Sequence, residues 1–198
     1  MSIHVERQRG GRGARQRILD AAVKLFYVDG INATGVERLA DGASVSKRTL
    51  YQHFPSKEAV VEEYLRHIRQ GFGYPKHPDP TAGKRSPRSR ILALFEPPPS
   101  SGGPLRGCPF HNAAVEAAGG MSEVHEIVEE HKRSYVDGVV TLARAAGAAN
   151  PKLLGTQLAI LFEGAAAMST SLNDVAPWAH ARKAAQTLLD EAISRGSA

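Results

Sequence analysis

Within one window of the 198-residue chain, Lys47-Arg48-Thr49-Leu50-Tyr51-Gln52-His53, stand cations, hydroxyls, a carboxamide and an imidazole. At helical spacing Leu50 and Phe54 form a buried edge, which leaves Lys47, Arg48, Thr49, Tyr51, Gln52 and His53 facing outward. A short helix with such a face suits phosphates and base edges in a major groove. Gln52 has the chemistry to pair with adenine and Arg48 with guanine.

A second constellation is Cys108-x-x-His111. A thiol at a helix N-terminus beside Arg106 and His111 would have a lowered pKa and could sense oxidants or electrophiles. Use as a catalytic nucleophile needs a third, orienting residue in recognisable context, which the sequence lacks, so no enzyme is expected. The plainer reading is a small buried thiol at a helix start. One Cys and one His do not make a zinc site, and His125, Glu129 and His131 do not complete one. His125 and Glu129 read as a solvated i, i+4 pair. No metal, cofactor or catalytic residue is expected.

The elements that must hold the first constellation are legible around it. Thr34-x-x-Glu37 is a capping-box pattern, in which the Thr34 hydroxyl would accept from the Glu37 N–H. It predicts a helix with Val36, Leu39 and Ala40 on one face. After a break at Ala43-Ser44-Val45, Ser46 caps a second helix, and Ser56 caps a third after Pro55. Upstream, Ile18, Ala22, Leu25 and Phe26 mark an amphipathic helix from Ala14 to about Val28, stopped by Asp29-Gly30.

Charge is concentrated at this end. The net charge is +5; residues 1–74 hold 12 Lys and Arg against 8 Asp and Glu, whereas residues 75–198 hold 13 against 12. Arg7, Arg9, Arg12, Arg15 and Arg17 face only Glu6, which reads as a basic arm over residues 1–13 able to lie along a polyanion. No run of about 18 apolar residues and no apolar signal core occur, so a cytoplasmic protein without a membrane segment is expected. The single Cys108 excludes an intramolecular disulfide.

Beyond residue 56 the chain again reads as helix. The Ser56 helix carries Val60, Val61, Tyr64, Leu65 and Ile68 toward Phe72; residues 73–87 form a Pro- and Gly-rich loop. Ser86-Pro87 opens a helix from Arg88 to Glu96, which Pro97 to Pro104 breaks. Further helices start at Cys108-Pro109, Ser122, Pro151 and Pro177. No strand-like alternation and no repeat is found. The fold class is all-α, with about nine helices.

The string Val45-Ser46-Lys47-Arg48-Thr49-Leu50-Tyr51-Gln52-His53-Phe54, followed by Ser56-Lys57-Glu58, resembles the DNA-binding domain of the tetracycline-repressor (TetR) family of bacterial transcriptional regulators. The resemblance is strong over about residues 14–70. Further on, Arg106 to Glu116 is similar to a segment of many such C-terminal domains, and Leu161-Phe162-Glu163-Gly164-Ala165 to the L-x-x-G-A of their penultimate helix. It implies a helix-turn-helix domain over 14–56 and a ligand-binding and dimerisation domain over 57–198.

By position, the resemblance assigns DNA contacts to Lys47, Arg48, Thr49, Tyr51, Gln52 and His53, and a phosphate contact to Lys57. Thr34 and Gly35 open the supporting helix, where backbone N–H groups can also meet a phosphate. The sequence departs from the family at the turn, where Ser44 stands in place of the usual Gly and Gly42 lies two residues earlier. Ser44 at φ > 0 would cost about 1 kcal/mol, unless Gly42 relieves it by ending the helix early.

The implied partners are double-stranded DNA with a palindromic operator, a small-molecule effector, and a second copy of the chain through the last two helices. The function expected is that of a repressor released by its effector. Rival readings are a Cys108 thiol sensor on the same fold and a sequence-indifferent architectural protein. Phe95, Phe110, His111, Tyr135, Phe162 and Met168 are the expected pocket lining, with Asn112 and Glu116 as polar anchors. Small faces at Gly164, Ala165, Ala166, Ala167 and Ser169, and at Ala181, Ala184, Ala185 and Leu188, are read as close-approach surfaces that allow dimerisation.

Overall fold

The computed structural model describes residues 13–71, 85–98, 103–117 and 119–194. Most of the basic arm, with Arg7, Arg9 and Arg12, lies outside the described residues, as do Phe72 and most of the 73–87 loop. Nine helices and no strand occur among the described residues: α1 Ala14–Val28, α2 Val36–Gly42, α3 Lys47–His53, α4 Lys57–Arg69, α5 Pro87–Ala93, α6 Pro109–Glu116, α7 Ser122–Ala145, α8 Pro151–Leu172 and α9 Ala176–Ser194.

The helix starts follow side-chain caps. Ser46, Ser56, Ser86 and Asn150 accept from the backbone N–H groups of Thr49, Ala59, Ser89 and Leu153 at 3.0–3.3 Å. Proline is at the first position of α5, α6 and α8, where its missing N–H costs nothing. Helix α5 stops at Ala93, short of the expected Glu96. The N–H groups of Leu94, Phe95 and Glu96 bond three residues back, so the chain tightens into a turn there.

The chain forms two compact units that part between Tyr64 and Leu65, inside α4 rather than at its Ser56 start. In the first unit Ile18, Ala22 and Phe26 of α1, Leu39 of α2, Leu50 of α3 and Val60, Val61 and Tyr64 of α4 are buried together with Ile31 and Phe54. Phe26 meets Tyr64 edge-on, with ring centroids 5.3 Å apart. Tyr64 therefore belongs with the three N-terminal helices.

The second unit is built on α7, α8 and α9 with α5 against them. Its core joins Ile91, Phe95, Val139, Leu154, Leu158 and Leu189, and a chain of rings runs Tyr135–Phe162–Trp178 at 5.2 and 5.3 Å. The α7–α8 crossing is close because Gly155 faces Val140. A Cβ on Gly155 would lie 2.5–2.8 Å from Val140 Cγ2, Cα and N, and backbone atoms cannot step aside as a flexible side chain could. Gly155→Ala is expected to destabilise the protein by about 1–3 kcal/mol, read as a lower midpoint of thermal unfolding by circular dichroism.

Candidate nucleic-acid interface and ligand cavity

Two surfaces, one on each unit, carry the chemistry. In the first unit α2 ends at Gly42 with Ala43 as its C-cap. Ser44 N–H bonds to the Asp41 carbonyl at 2.9 Å and Val45 N–H to the Ala40 carbonyl at 2.9 Å, which is a Schellman ending with Ser44 in the left-handed position, φ 52°. Gly42 does not relieve it, since its own backbone is right-handed helix. Its role is space: a Cβ there would come 3.2 Å from Leu25 Cδ1 and 3.5 Å from Ala21 Cβ, so the missing side chain lets α2 approach α1. Arg17 Nε closes the turn, donating to the Ala43 carbonyl at 3.0 Å.

The Thr34 capping box does not form. Thr34 is fully buried, and its hydroxyl donates to the Gly30 carbonyl at 2.7 Å, tying the end of α1 to the approach to α2. The N-cap of α2 is the exposed Gly35, without a side-chain cap. Thr34 is thus a packing and turn residue whose hydroxyl cannot reach a phosphate. Glu37, freed from the box, accepts from Lys47 Nζ at 3.1 Å on the surface.

Helix α3 buries Leu50, and Phe54 follows it into the core. Lys47, Arg48, Tyr51, Gln52 and His53 are exposed. Thr49 is half-buried and its hydroxyl lies 2.8 Å from Ser46 Oγ, so it is already engaged at the cap. Lys57 is half-buried at the first position of α4. Behind the face, Arg15 spans Phe54, 5.1 Å from the ring centroid, and reaches Glu63 at 2.9 Å. The face offers charge for phosphates, and amide, imidazole and guanidinium groups for base edges.

In the second unit a cavity of about 670 Å³ lies among α6, α7 and α8. Of the residues expected to line it, His111, Asn112 and Tyr135 do. Phe95, Phe110 and Phe162 do not, being buried and packed against other side chains; Phe110 lies flat on His131 with centroids 3.5 Å apart. Glu116 is half-buried and Met168 is exposed, and neither reaches the wall. Asn112 spends its amide N–H on the Arg106 carbonyl at 2.6 Å.

Sequence reasoning missed Lys132 of α7 and Glu163 of α8, which pair across the cavity wall. The available signal was composition: Glu163 is the single acid in the 22 residues of α8, and a lone carboxylate in an apolar helix needs a cation. Lys132 Nζ also lies 3.4 Å from Cys108 Sγ. Even so, the Cys108 thiol is pushed up from its ordinary range, because desolvation outweighs Lys132 and Glu163 adds to the rise. A low-pKa thiol is not what this site makes.

His131 is also buried. Desolvation first, then the Lys132 and Arg69 charges, lower its pKa from 6.5 to about 4. Between these values the unfolded chain binds the proton and the folded chain does not, so stability is undiminished above pH 6.5 and falls as the pH drops toward 4. Thermal midpoints at pH 7, 5.5 and 4.5 are expected to decline less in His131→Phe than in the wild type.

Helix α8 is apolar on more than one side; by length and mean hydropathy of 1.2 it could cross a membrane, yet 44% of that apolar stretch is buried inside the protein. Ala165, Ala166, Ser169, Ala181 and Ala185, read from sequence as dimer-forming small faces, are buried inside the chain, and the alanines among them join the α7–α9 core. What remains uncovered is another stripe: Leu153, Ile160, Met168 and Leu172 are 53–66% exposed, with Gly164 and Ala167 exposed between them.

Residues 18–64 match the family of bacterial regulatory proteins described as tetR, and residues 91–185 match the tetracyclin repressor-like C-terminal domain. Among relatives, the HTH-type transcriptional repressor KstR2 of Rhodococcus jostii is 46% identical over 57 residues, 29% of this chain and 28% of that protein. KstR2 of Mycolicibacterium smegmatis is 44% identical over 82 residues, 41% and 39% of the two chains. These matches therefore span well under half of the relatives' length. Over nearly the whole chain, a structure described as a TetR-type transcriptional regulator of Streptomyces avermitilis is 30% identical, with a TM-score of 0.71 over 91% of this chain and 98% of that one. A TetR-family regulator from Streptomyces coelicolor is 26% identical with a TM-score of 0.74, covering 91% and 96%.

The left-handed Ser44 gives a direct test of the turn. Ser44→Gly is expected to stabilise the protein by up to about 1 kcal/mol, raising the unfolding midpoint by about 2–4 °C in differential scanning calorimetry.

Proposed function

The chain belongs to the TetR family of bacterial transcriptional regulators, and from that premise we propose that it is a cytoplasmic, homodimeric repressor that leaves a palindromic operator when a small-molecule effector binds. The observation that carries this reading is the outward face of α3. Lys47, Arg48, Tyr51, Gln52 and His53 are exposed on a helix held from behind by Leu50 and Phe54 and started by a formed Ser46 cap. Lys57, and the backbone N–H groups at the start of α2, add phosphate contacts beside them.

One such helix reads only a short half-site, so two copies set about 34–36 Å apart are required for a palindrome. The uncovered stripe of α8, with Leu153, Ile160, Met168 and Leu172, supports pairing through α8 and α9, because a contiguous exposed apolar stripe marks an interaction surface. The effector would sit in the cavity among α6, α7 and α8, on His111, Asn112 and Tyr135. Arg69, in the last turn of α4, grips Glu130 of α7 through two bonds of 2.8 Å, and α7 also carries Lys132. Coupling would run along α4, with the effector acting only through unequal affinity for two states.

The test is a mobility shift on the DNA upstream of the protein's own gene, with random DNA as competitor. A discrete shift that random DNA does not compete away is expected. Tyr51→Ala and Lys47→Ala should each weaken it by about 5- to 100-fold, and Lys47→Ala should also flatten the salt dependence. Retention of specific binding in both variants would remove α3 as the reading helix, and equal binding to random DNA would favour an architectural role.

A further inference from the structure

The effector cavity has a mostly apolar wall with one charged pair in it. Val136, Ala159, Ile160, Ala166 and Ala167 supply the apolar part; the ionisable groups facing the space are Lys132, Glu163, His111, Cys108 and Tyr135. Burial holds Cys108 and Tyr135 in their protonated, uncharged forms. The charge that matters is therefore the Lys132 ammonium against the Glu163 carboxylate, each about 70% covered by protein.

The pair balances itself in formal charge, and its surroundings are rich in donors. Among the described residues Glu163 is the single acid facing the cavity. The start of α6 adds its own positive end here, with the backbone N–H groups of Phe110 and His111 directed at Cys108 Sγ, next to Lys132 Nζ. Lys132 has three donors, of which Glu163 takes one and Cys108 Sγ another. A cation entering the cavity would draw Glu163 away and leave an ammonium stranded among amide donors. An anion entering it finds a third ammonium donor and can take over the place of Glu163, whose side chain is about a third exposed.

We propose that the effector is an amphiphilic organic anion, an apolar body carrying one carboxylate-like head, and that its head replaces Glu163 as the counter-ion of Lys132. This deepens the reading of the cavity as the effector site and rests on it. It also says what binding changes: the Lys132–Glu163 tie joins α7 to α8, and head-group exchange releases that tie while keeping Lys132 neutralised.

The test uses the full chain and three probes of equal shape, 4-phenylbutyrate, 4-phenylbutanamide and 4-phenylbutylammonium, titrated by saturation-transfer NMR. The carboxylate is expected to bind at least 10-fold more tightly than the amide, and the ammonium least. Glu163→Gln should tighten the carboxylate at least 5-fold without helping the amide. Lys132→Met should erase the preference for the carboxylate. Amide or ammonium binding as tight as the carboxylate, a preference that survives Lys132→Met, or no carboxylate binding in either the wild type or Glu163→Gln would overturn the proposal. Helical content and thermal unfolding by circular dichroism, run on the same samples, report the folding of each variant. The operator mobility shift of the wild type without probe separates failure of this assignment from failure of the regulator reading.

Discussion

A helix with apolar residues on more than one side needs cover on each of them, and α8 imposes that condition on the second unit. Its inner face, with Leu154, Leu158, Phe162 and Ala165, lies in the core shared with α7 and α9. The crossing with α7 is close enough that Gly155 has no room for a Cβ beside Val140. A second face borders the cavity through Ala159, Glu163 and Ala166, where the one acid of the helix meets Lys132. The third face, from Leu153 through Ile160 to Met168 and Leu172, is more than half exposed. One element thus joins the core, the cavity wall and an exposed apolar stripe.

The reading unit is governed by the turn between α2 and α3. Its geometry is a Schellman ending that asks for glycine and holds serine, at a cost of about 1 kcal/mol. Two hydrogen bonds of 2.9 Å from Ser44 and Val45 and the Arg17 guanidinium on the Ala43 carbonyl hold the strained residue in place. Leu50 and Phe54 then fix the roll of α3, and its polar side chains are left outward as a set. The Lys47–Glu37 pair adds a local condition: a phosphate approaching Lys47 must compete with a carboxylate, but an exposed pair of this kind is worth little and yields to a polyanion.

The Lys132–Glu163 pair and buried His131 show how charge is handled inside the second unit. Lys132 is neutralised by Glu163, and His131 beside it is kept neutral by burial and by the cations near it. Cys108 follows the same logic: close to an ammonium, yet too desolvated to ionise. The site therefore holds one ion pair beside an uncharged thiol.

What the sequence by itself determined was most of what depends on neighbours within a few residues. The Ser46, Ser56 and Ser86 caps, the proline starts, the helix periods and the identity of the outward face of α3 follow from spacing alone, because a helix converts sequence separation into direction. Even the left-handed Ser44 was legible, as a residue standing where a turn needs φ > 0. Tertiary structure decided what depends on distant partners. Thr34 has the spacing of a cap, but packing buries it and turns its hydroxyl to the Gly30 carbonyl. Gly42 looked like a turn residue, but it makes room for α1. Phe95, Phe110 and Phe162 looked like cavity wall, but large rings sink where burial is deepest. The wall was left to Lys132 and Glu163, 31 positions apart in the chain, which only the crossing of α7 and α8 brings together.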